Sequence, residues 1–332
     1  MALSETLPRL WYRRGLALPL LPLLPLSWLF AALSGVRRAA YRLGLKRTER
    51  LPVPVIVVGN LVAGGAGKTP LVLWLVDALR AHGWRPGIVS RGYGAAGASP
   101  QLVTADAEAA AVGDEPLLLA RRAGVPVAVG RDRVAAARTL LAAHPDCNVL
   151  VSDDGLQHYR LGRDVEIVVF DGRGAGNGQL LPAGPLREPL SRLASVDALV
   201  WNGGVAGFAA PCPAHEMRLQ GARFEALNDR TRHCEAASLR GRALHAVAGI
   251  GDPSRFFRQL EALGLHFTPH AFPDHHAYAA SDLDFGADAV CLMTEKDAVK
   301  CAALVTGEAW VLPVDAVVDG NLIARIVEKL NG

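Results

Sequence analysis

The sequence has few of the features that mark nucleic-acid binders, disulfide-stabilised proteins or zinc proteins. Aromatic residues make up 6% of the chain and the formal net charge is only +3, which provides neither a base-stacking platform nor a strongly basic surface. The five cysteines are scattered without a C-x-x-C pair, which argues against a disulfide framework or a zinc site and for a reducing compartment. We therefore expect no nucleic-acid partner.

Charge is also missing from one long stretch near the N-terminus, residues 15–36. This stretch is long enough to cross a bilayer, and arginine pairs at 13–14 and 37–38 flank it. Prolines at 19, 22 and 25 each remove a helical hydrogen-bond donor, so a segment lying in or dipping into the membrane surface is favoured over a clean spanning helix. A cleaved signal peptide is the alternative.

The rest of the chain is organised around residues 53–75, which read VPVIVVGNLVAGGAGKTPLVLWL. An apolar β-branched run leads into a glycine-rich turn, then Lys68 and Thr69, then an apolar helical pattern. Glycines let backbone N–H groups converge on phosphate oxygens, the lysine adds a positive charge, and the helix start adds its dipole. The threonine hydroxyl is a Mg²⁺ ligand in P-loop proteins.

This pattern departs from the strict G-x-x-x-x-G-K-[ST] motif at one position, where Val62 replaces the first glycine. A flexible glycine loop is the alternative interpretation, but it does not explain Lys-Thr at the helix start. We predict a nucleotide-phosphate site made by Gly64, Gly65, Ala66, Gly67, Lys68 and Thr69. Because ATP is cytoplasmic, this site argues against secretion and for an uncleaved anchor.

A second chemical signal follows the apolar strand predicted at 148–152, which ends in Asp153 and Asp154. An apolar strand that delivers aspartates at its C-terminal tip is typical of the Walker B arrangement, in which a carboxylate holds Mg²⁺ directly or through water. The sequence therefore predicts a magnesium site formed by Thr69, Asp153 and Asp154.

Three further segments contain polar residues whose roles stay open from the residues alone. Asp114 and Glu115 precede a proline and an apolar run, which fits a helix N-cap but also a base or a ligand beside the phosphate site. Arg187 lies in a long loop and is either a solvated side chain or a group that offsets phosphoryl charge. His275 and His276 form a pair in a turn, without a visible third metal ligand.

The order of strands and helices predicts an α/β fold with a mostly parallel, P-loop NTPase-like sheet and helices on both faces. We divide the 332-residue chain into a membrane-associated segment at 1–48 and a P-loop domain at 49–211. An extended connector, with a hairpin as one option, follows at 212–241, and a smaller C-terminal α/β domain at 242–332.

Taken together, these motifs resemble one family, the tetraacyldisaccharide 4'-kinases of Gram-negative bacteria. The segments that carry the resemblance are VGNLVAGGAGKTP (58–70), SRGYG (90–94), VGDEP (112–116), SDDGLQH (152–158), LPAGPLREP (181–189), FPDHH (272–276) and TEKDAVK (294–300). GGAGKT alone is common among P-loop proteins, whereas the ordered series is specific.

The resemblance implies transfer of the γ-phosphoryl group of ATP, with Mg²⁺, to the 4'-hydroxyl of a tetraacylated glucosamine disaccharide 1-phosphate, giving lipid IV-A. It implies that Asp114 is the base and that His275 orients it or tunes its basicity. Lys68 would then hold the β- and γ-phosphates, Arg187 would offset oxygen charge, and Glu115 would belong to the nucleotide site. Such an enzyme would act at the cytoplasmic face of the inner membrane, on surface lipids, without requiring a protein partner.

A membrane-bound P-loop switch ATPase that acts on a protein partner is the rival hypothesis. Members of that class carry a second lysine ahead of GGxGK, where this chain has Ala63. A soluble P-loop kinase for a small metabolite is a third option, and it leaves the apolar N-terminus without a role.

Overall fold

The N-terminal segment forms helices that leave most of their apolar surface exposed. The structure, a computed structural model, describes residues 3–13, 15–93, 99–203 and 208–332, without the side chains of 3–6. A 3₁₀ turn at Leu18–Leu23 takes up Pro19 and Pro22, and a helix follows directly at Leu24–Arg42. The combined segment, Leu18–Arg42, is long and apolar enough to cross a membrane. That this segment lies in or dips into the membrane surface, rather than spanning the bilayer, stays a prediction.

The described residues form ten α-helices and fifteen strands. The helices are α1 Leu3–Trp11, α2 Leu24–Arg42, α3 Lys68–Ala81, α4 Ala109–Val112, α5 Asp114–Arg122, α6 Arg133–Ala143, α7 Ala236–Leu239, α8 Pro253–Ala262, α9 Glu295–Cys301 and α10 Asn321–Asn331. The strands are β1 Val55–Gly59, β2 Pro86–Ser90, β3 Gln101–Val103, β4 Val127–Val129, β5 Val149–Asp153, β6 Val165–Asp171, β7 Ala198–Asn202, β8 Ala214–Gln220, β9 Arg223–Ala226, β10 His233–Glu235, β11 Leu244–Ala248, β12 Thr268–Ala271, β13 Val290–Thr294, β14 Glu308–Leu312 and β15 Asp315–Val318.

The larger sheet has nine strands in the order β15-β8-β7-β6-β1-β5-β2-β4-β3. Its pairings are parallel except at the two edges, where β3 and β15 run antiparallel to their neighbours. Helices α3, α5 and α10 pack on one face and α6 on the other. The central strand β1 is buried along its whole length, because both neighbours and both helical layers cover it. The predicted α/β class is confirmed.

The smaller sheet has six strands in the order β10-β9-β14-β13-β11-β12. Strands β11 to β14 are parallel, and β9 and β10 extend the sheet in antiparallel fashion. Two apolar clusters cover its faces, one of them with α8 and the other with α9. Four of its strands, β11 to β14, lie in the segment predicted as the smaller α/β unit, and β9 and β10 come from the predicted connector.

Three strands occupy the predicted connector at 212–241. Strand β8 pairs with β7 in the larger sheet, whereas β9 joins the smaller one, so these two do not form a hairpin. The hairpin within this segment is formed by β9 and β10, which pair in antiparallel fashion. The chain also returns at its end, because β15 pairs with β8 and α10 packs into the core of the larger sheet. Alternating burial along β8 resembles a hairpin strand locally, and its distant partner leaves no local signal. The boundaries of independently folding domains stay a prediction.

Candidate active site

The glycine-rich turn, here called the phosphate loop (residues 60–67), joins β1 to α3 at the C-terminal edge of the larger sheet. Gly67 caps α3 with a left-handed φ of 87°, and Gly64 has a φ of 95°. A Cβ atom on Gly67 would lie 2.0 Å from the Asn202 side-chain nitrogen, so only glycine fits there. Lys68 and Thr69 begin the helix, where its dipole favours an anion.

The valine that departs from the strict motif has a packing role. Val62 is buried and forms a bridge with Leu186 of the long loop that follows β6. Both residues belong to the apolar cluster on the α6 face of the sheet. Val62 therefore packs the start of the phosphate loop against the long loop, and the left-handed turn begins at Gly64.

Three side chains outside the sequence prediction hold the backbone carbonyls of this loop. The contacts are Asn60 Nδ2 to Gly64 O at 2.9 Å, Arg173 Nη2 to Gly65 O at 2.6 Å, and Asn202 Nδ2 to Ala66 O at 3.1 Å. The Ala63 N–H is also engaged, since it donates to the Pro185 carbonyl at 2.7 Å. With three successive carbonyls held in this way, the amides of residues 64–67 are available to bind an anion. Each donor stands at or just after the C-terminal end of a parallel strand, which is the one sequence signal that could have found it.

Asp154, directly after β5, pairs with two positively charged side chains of the predicted site, Lys68 and Arg187. Its carboxylate lies 3.5 Å from Lys68 Nζ and 3.2 Å from Arg187 Nη1. Burial opposes its charge, but these two cations lower the pKa of Asp154 to about 2. Asp154 is therefore ionised throughout the physiological range and ties the long loop to the start of α3.

Asp153, one residue earlier, has the opposite environment. Its side chain is buried, and among the described residues neither carboxylate oxygen has a hydrogen-bond donor. Burial, together with the nearby Glu115 carboxylate, raises the pKa of Asp153. Buried carboxylate oxygens normally have hydrogen-bond donors. Two oxygens without a donor, close to Lys68, therefore fit a residue that binds a cation.

The predicted metal residues Asp153, Asp154 and Thr69 all stand beside the phosphate loop. The part of the chain that the structure describes holds no cluster of three His, Cys, Asp or Glu side chains suited to a metal. A Mg²⁺ ion needs no such cluster, since it takes one or two carboxylates and fills its other positions with phosphate oxygens and water. The two aspartates and the threonine hydroxyl therefore fit Mg²⁺ together with a nucleotide.

Asp114 and His275 meet across the two sheets although 161 residues separate them in the chain. His275 Nδ1 lies 3.0 Å from Asp114 Oδ2, and the ring of Tyr93 lies 4.8 Å from the imidazole. Burial pushes the pKa of Asp114 up, but the His275 hydrogen bond and the Lys296 ammonium hold it below its usual value. The same hydrogen bond raises the pKa of His275, against burial and Lys296.

The N-cap interpretation of Asp114 is wrong. Helix α5 is capped by Gly113, with a φ of 93°, and Asp114 is its first residue. Its Oδ1 accepts a hydrogen bond from the adjacent Glu115 N–H at 2.9 Å, which fixes the carboxylate while Oδ2 faces His275. His276 points elsewhere and contacts Asp282 at 3.1 Å.

Two of the predicted site residues have strained backbones. Within the described ranges, Asp154 and His275 are the non-glycine residues with left-handed φ angles, 47° and 61°. Such conformations cost free energy in non-glycine residues and concentrate at functional sites. Their occurrence at these two positions supports a functional role for both turns.

One cavity connects these groups to the N-terminal helix. Its volume is about 760 Å³, and its lining includes the polar side chains Lys68, Glu115, Asp154, Arg187 and His275. Phe30, Leu33 and Arg37 of α2 line the same cavity. The apolar helix and the polar site thus share one continuous space, large enough for a substrate with a polar head and an apolar body.

A second, smaller cavity of about 180 Å³ lies between the phosphate loop and the smaller sheet. Thr69 and Glu115 line it from the first side, and Ile250, Phe256 and Lys296 from the second. The phosphate loop therefore borders two spaces, one toward α2 and one between the sheets.

Comparison with known proteins agrees with this geometry. The family model described as tetraacyldisaccharide-1-P 4'-kinase matches residues 20–331. The tetraacyldisaccharide 4'-kinase of Dechloromonas aromatica is 57% identical over 99% of this chain and 98% of its own length. That of Azoarcus sp. is 54% identical over 98% and 95%.

A solved structure is also similar. The crystal structure of the "apo" form of LpxK from Aquifex aeolicus, in complex with ATP, matches with a TM-score of 0.80 at 30% identity. The match covers 94% of this chain and 100% of that one. By its motifs, its fold and its full-length relatives, the chain belongs to the tetraacyldisaccharide-1-P 4'-kinase family.

Proposed function

We propose that this chain transfers the γ-phosphoryl group of ATP to the 4'-hydroxyl of a tetraacylated glucosamine disaccharide 1-phosphate, giving lipid IV-A. The observation that carries the proposal is the larger cavity, which joins the apolar helix α2 to Lys68 and to His275. An acylated sugar fits this space with its chains toward α2 and its hydroxyl toward the phosphate loop. Membership of the family supports the same reaction.

The phosphate loop holds the β- and γ-phosphates of ATP through its amides, and Lys68 adds positive charge. Phosphoryl transfer needs little covalent chemistry, so most of the catalysis comes from positioning and from charge stabilisation. A bound Mg²⁺ would supply positive charge to offset the negative charge that develops on the phosphate oxygens. Thr69, Asp153 and Asp154 would hold it, and Glu115 belongs to the same nucleotide site.

Asp114 accepts the proton of the sugar hydroxyl, and His275 keeps it oriented and ionised. Ionisation of Asp114 is secured by the low pKa that the His275 hydrogen bond helps to maintain. Arg187, 3.2 Å from Asp154, offsets charge on the transferred phosphoryl group. Closure of the smaller sheet over the site excludes water and limits ATP hydrolysis.

The enzyme acts at the cytoplasmic face of the inner membrane. Helix α2 exposes Leu26, Trp28, Leu29 and Leu33, and an apolar surface of this kind fits a lipid bilayer. Arg37 and Arg38 stand at its basic end, where anionic headgroups are available. Lipid substrate therefore reaches the cavity from the membrane surface, and no protein partner is required.

The decisive experiment supplies γ-labelled ATP with Mg²⁺ and a purified acylated disaccharide 1-phosphate in detergent micelles. Label should appear in the lipid, and ATP consumption should depend on the acylated acceptor. The non-acylated disaccharide phosphate and the Lys68→Met variant are the controls. ATP hydrolysis without lipid labelling, or hydrolysis triggered by a membrane protein, would instead support the switch ATPase, which the absence of a lysine at Ala63 disfavours.

A further inference from the structure

The TEKDAVK segment has no role in the proposal above, although it borders the site. Strand β13 ends at Thr294, and Lys296 lies in the first turn of α9. The Lys296 side chain is only 15% exposed, which is low for a lysine. A lysine this covered requires a specific set of partners.

The partners of Lys296 come from both sheets. Its ammonium lies 2.8 Å from Glu115 Oε1 on α5 and 3.0 Å from Asp274 Oδ1 on the loop after β12. It also lies 3.4 Å from His275 Nε2, on the ring edge opposite to the one that meets Asp114. One cation thus joins the larger sheet's layer to the loop that carries the histidine.

The backbone that carries Lys296 is fixed. The Thr294 hydroxyl accepts a hydrogen bond from the Asp297 N–H and caps α9. The buried Asp297 carboxylate accepts hydrogen bonds from the Gly249 N–H at 3.1 Å and the Tyr278 hydroxyl at 2.9 Å. On the other side of Lys296, Glu295 is paired with Arg122. The ammonium is therefore held where the two sheets meet.

The charge around Lys296 explains why a cation is needed there. Glu115, Asp274 and Asp114 all approach the junction of the sheets, and their carboxylates repel one another unless a positive charge lies among them. Burial disfavours the ammonium, but the Glu115 and Asp274 carboxylates raise the pKa of Lys296 above its usual value. Lys296 therefore stays charged at every physiological pH.

We propose that Lys296 is a positioning residue that fastens the smaller sheet over the phosphate loop by bridging Glu115 and Asp274, and so holds His275 against Asp114. The catalytic meaning of this contact rests on the proposed function, whereas the fastening itself does not. Lys296 touches neither Asp114 nor the sugar hydroxyl in this scheme, so it acts through His275.

Fastening is tested first without any turnover, by hydrogen exchange of the full-length protein in detergent micelles. We expect Lys296→Met to speed amide exchange in residues 272–278 by about tenfold. The reason is that the bridge from Glu115 through Lys296 to Asp274 is lost, so this segment opens more often. Lys296→Arg should restore part of the protection, and Lys329→Met, at an exposed pair with Asp197, should change nothing. Unchanged exchange in Lys296→Met, with β1 still protected, would overturn the proposal.

Kinetics then test the positioning role. In Lys296→Met, kcat should fall by about 10 to 100-fold while KM for ATP changes less than about threefold, because the phosphate loop itself is intact. Asp274→Asn should lower kcat in the wild-type background and have almost no further effect in Lys296→Met, since both changes break one bridge. Additive effects, or a loss confined to KM, would contradict the bridge.

The two proposals fail in different ways. A wild-type protein that labels no lipid, while Lys296→Met still opens residues 272–278, would remove the proposed function and keep the fastening. Suppose instead that the wild type labels lipid and that Lys296→Met changes neither exchange nor kcat. This result would keep the proposed function and remove the fastening.

Discussion

The phosphate loop (residues 60–67) and the loop at 272–276, here called the histidine loop, both line the larger cavity. They are built in different ways. The phosphate loop is a local device, because a strand, a glycine turn and a helix start follow one another within a few residues. The histidine loop works only across the molecule, since His275 meets Asp114 from the other sheet. The proposed anion site is thus built in one segment, whereas Asp114, the proposed proton acceptor, meets His275 only where the two sheets come together.

Their supports differ in the same way. Three side chains at the strand ends of the larger sheet hold the carbonyls of the phosphate loop. The histidine loop is held through α9, whose Lys300 donates to the His276 carbonyl at 3.2 Å and whose Lys296 reaches Asp274. Because the two loops have different supports, we expect ATP binding and the ionisation of Asp114 to respond to different substitutions.

The largest expected effect is on the phosphate loop, with Lys68→Ala. Turnover should fall by about 10⁴-fold, because the lysine charge on the transferred phosphate is lost. The fold should hold, since Asp154 keeps its partner Arg187. Transfer of label from ATP to the lipid is the measurement, with Lys329→Ala as the control. Near-normal transfer would mean that the loop is not the phosphate site.

On the histidine loop side, Asp114→Asn should lower kcat by about 10³-fold while ATP binding persists. In His275→Ala the pKa of Asp114 rises, because the hydrogen bond that lowers it is gone. Protonation then removes the base at a higher pH, so the acid limb of the kcat/KM profile shifts upward. If the acid limb of the kcat/KM profile of His275→Ala lies at the same pH as in the wild type, His275 does not set the pKa of the catalytic base.

The membrane surface lies outside both loops and should leave their chemistry intact. The exposed side chains of Trp28, Leu29 and Val36 are 64%, 57% and 69% accessible. Replacing all three by serine should weaken binding to anionic vesicles by about 100-fold, because buried apolar area is lost. Turnover of lipid in detergent should stay close to normal. Unchanged sedimentation with vesicles would show that another surface provides the anchor.

Deletion of residues 1–36 should also release the protein, but it disturbs more of the structure. Ser27 Oγ donates to the Leu180 carbonyl at 2.9 Å and accepts from the Ala183 N–H at 2.9 Å. These contacts support the long loop that carries Arg187. The serine variant is therefore the sharper test of the membrane contact.

The smallest effect concerns the support of the phosphate loop. Asn202→Leu removes the donor to the Ala66 carbonyl and leaves a buried acceptor unsatisfied. ATP affinity, measured by calorimetry, should fall by about tenfold. This loss corresponds to the free-energy cost of leaving one buried acceptor without a donor. Asn148→Leu, which loses a contact at the opposite end of the strands, is the control. Equal affinity in Asn202→Leu would show that the loop keeps its shape alone.

By itself, the sequence determined the features that depend on neighbours in the chain. The phosphate loop, the aspartates after β5, the apolar N-terminal segment and the α/β alternation all have local signatures, because strand, turn and helix preferences act over a few residues. The motif series also carried the family. The α/β class and the family are confirmed by the fold and by the similarity to known kinases, whereas the roles of the individual site residues stay predictions.

Only the tertiary structure decided which distant groups meet. Nothing near Arg173 or Asn202 in sequence shows that each holds a carbonyl of the phosphate loop, because strand order brings them there. The return of β15 and α10 to the larger sheet is hidden for the same reason. The opposite environments of Asp153 and Asp154, adjacent in sequence, arise because one side chain is sealed in the core while the other meets two cations.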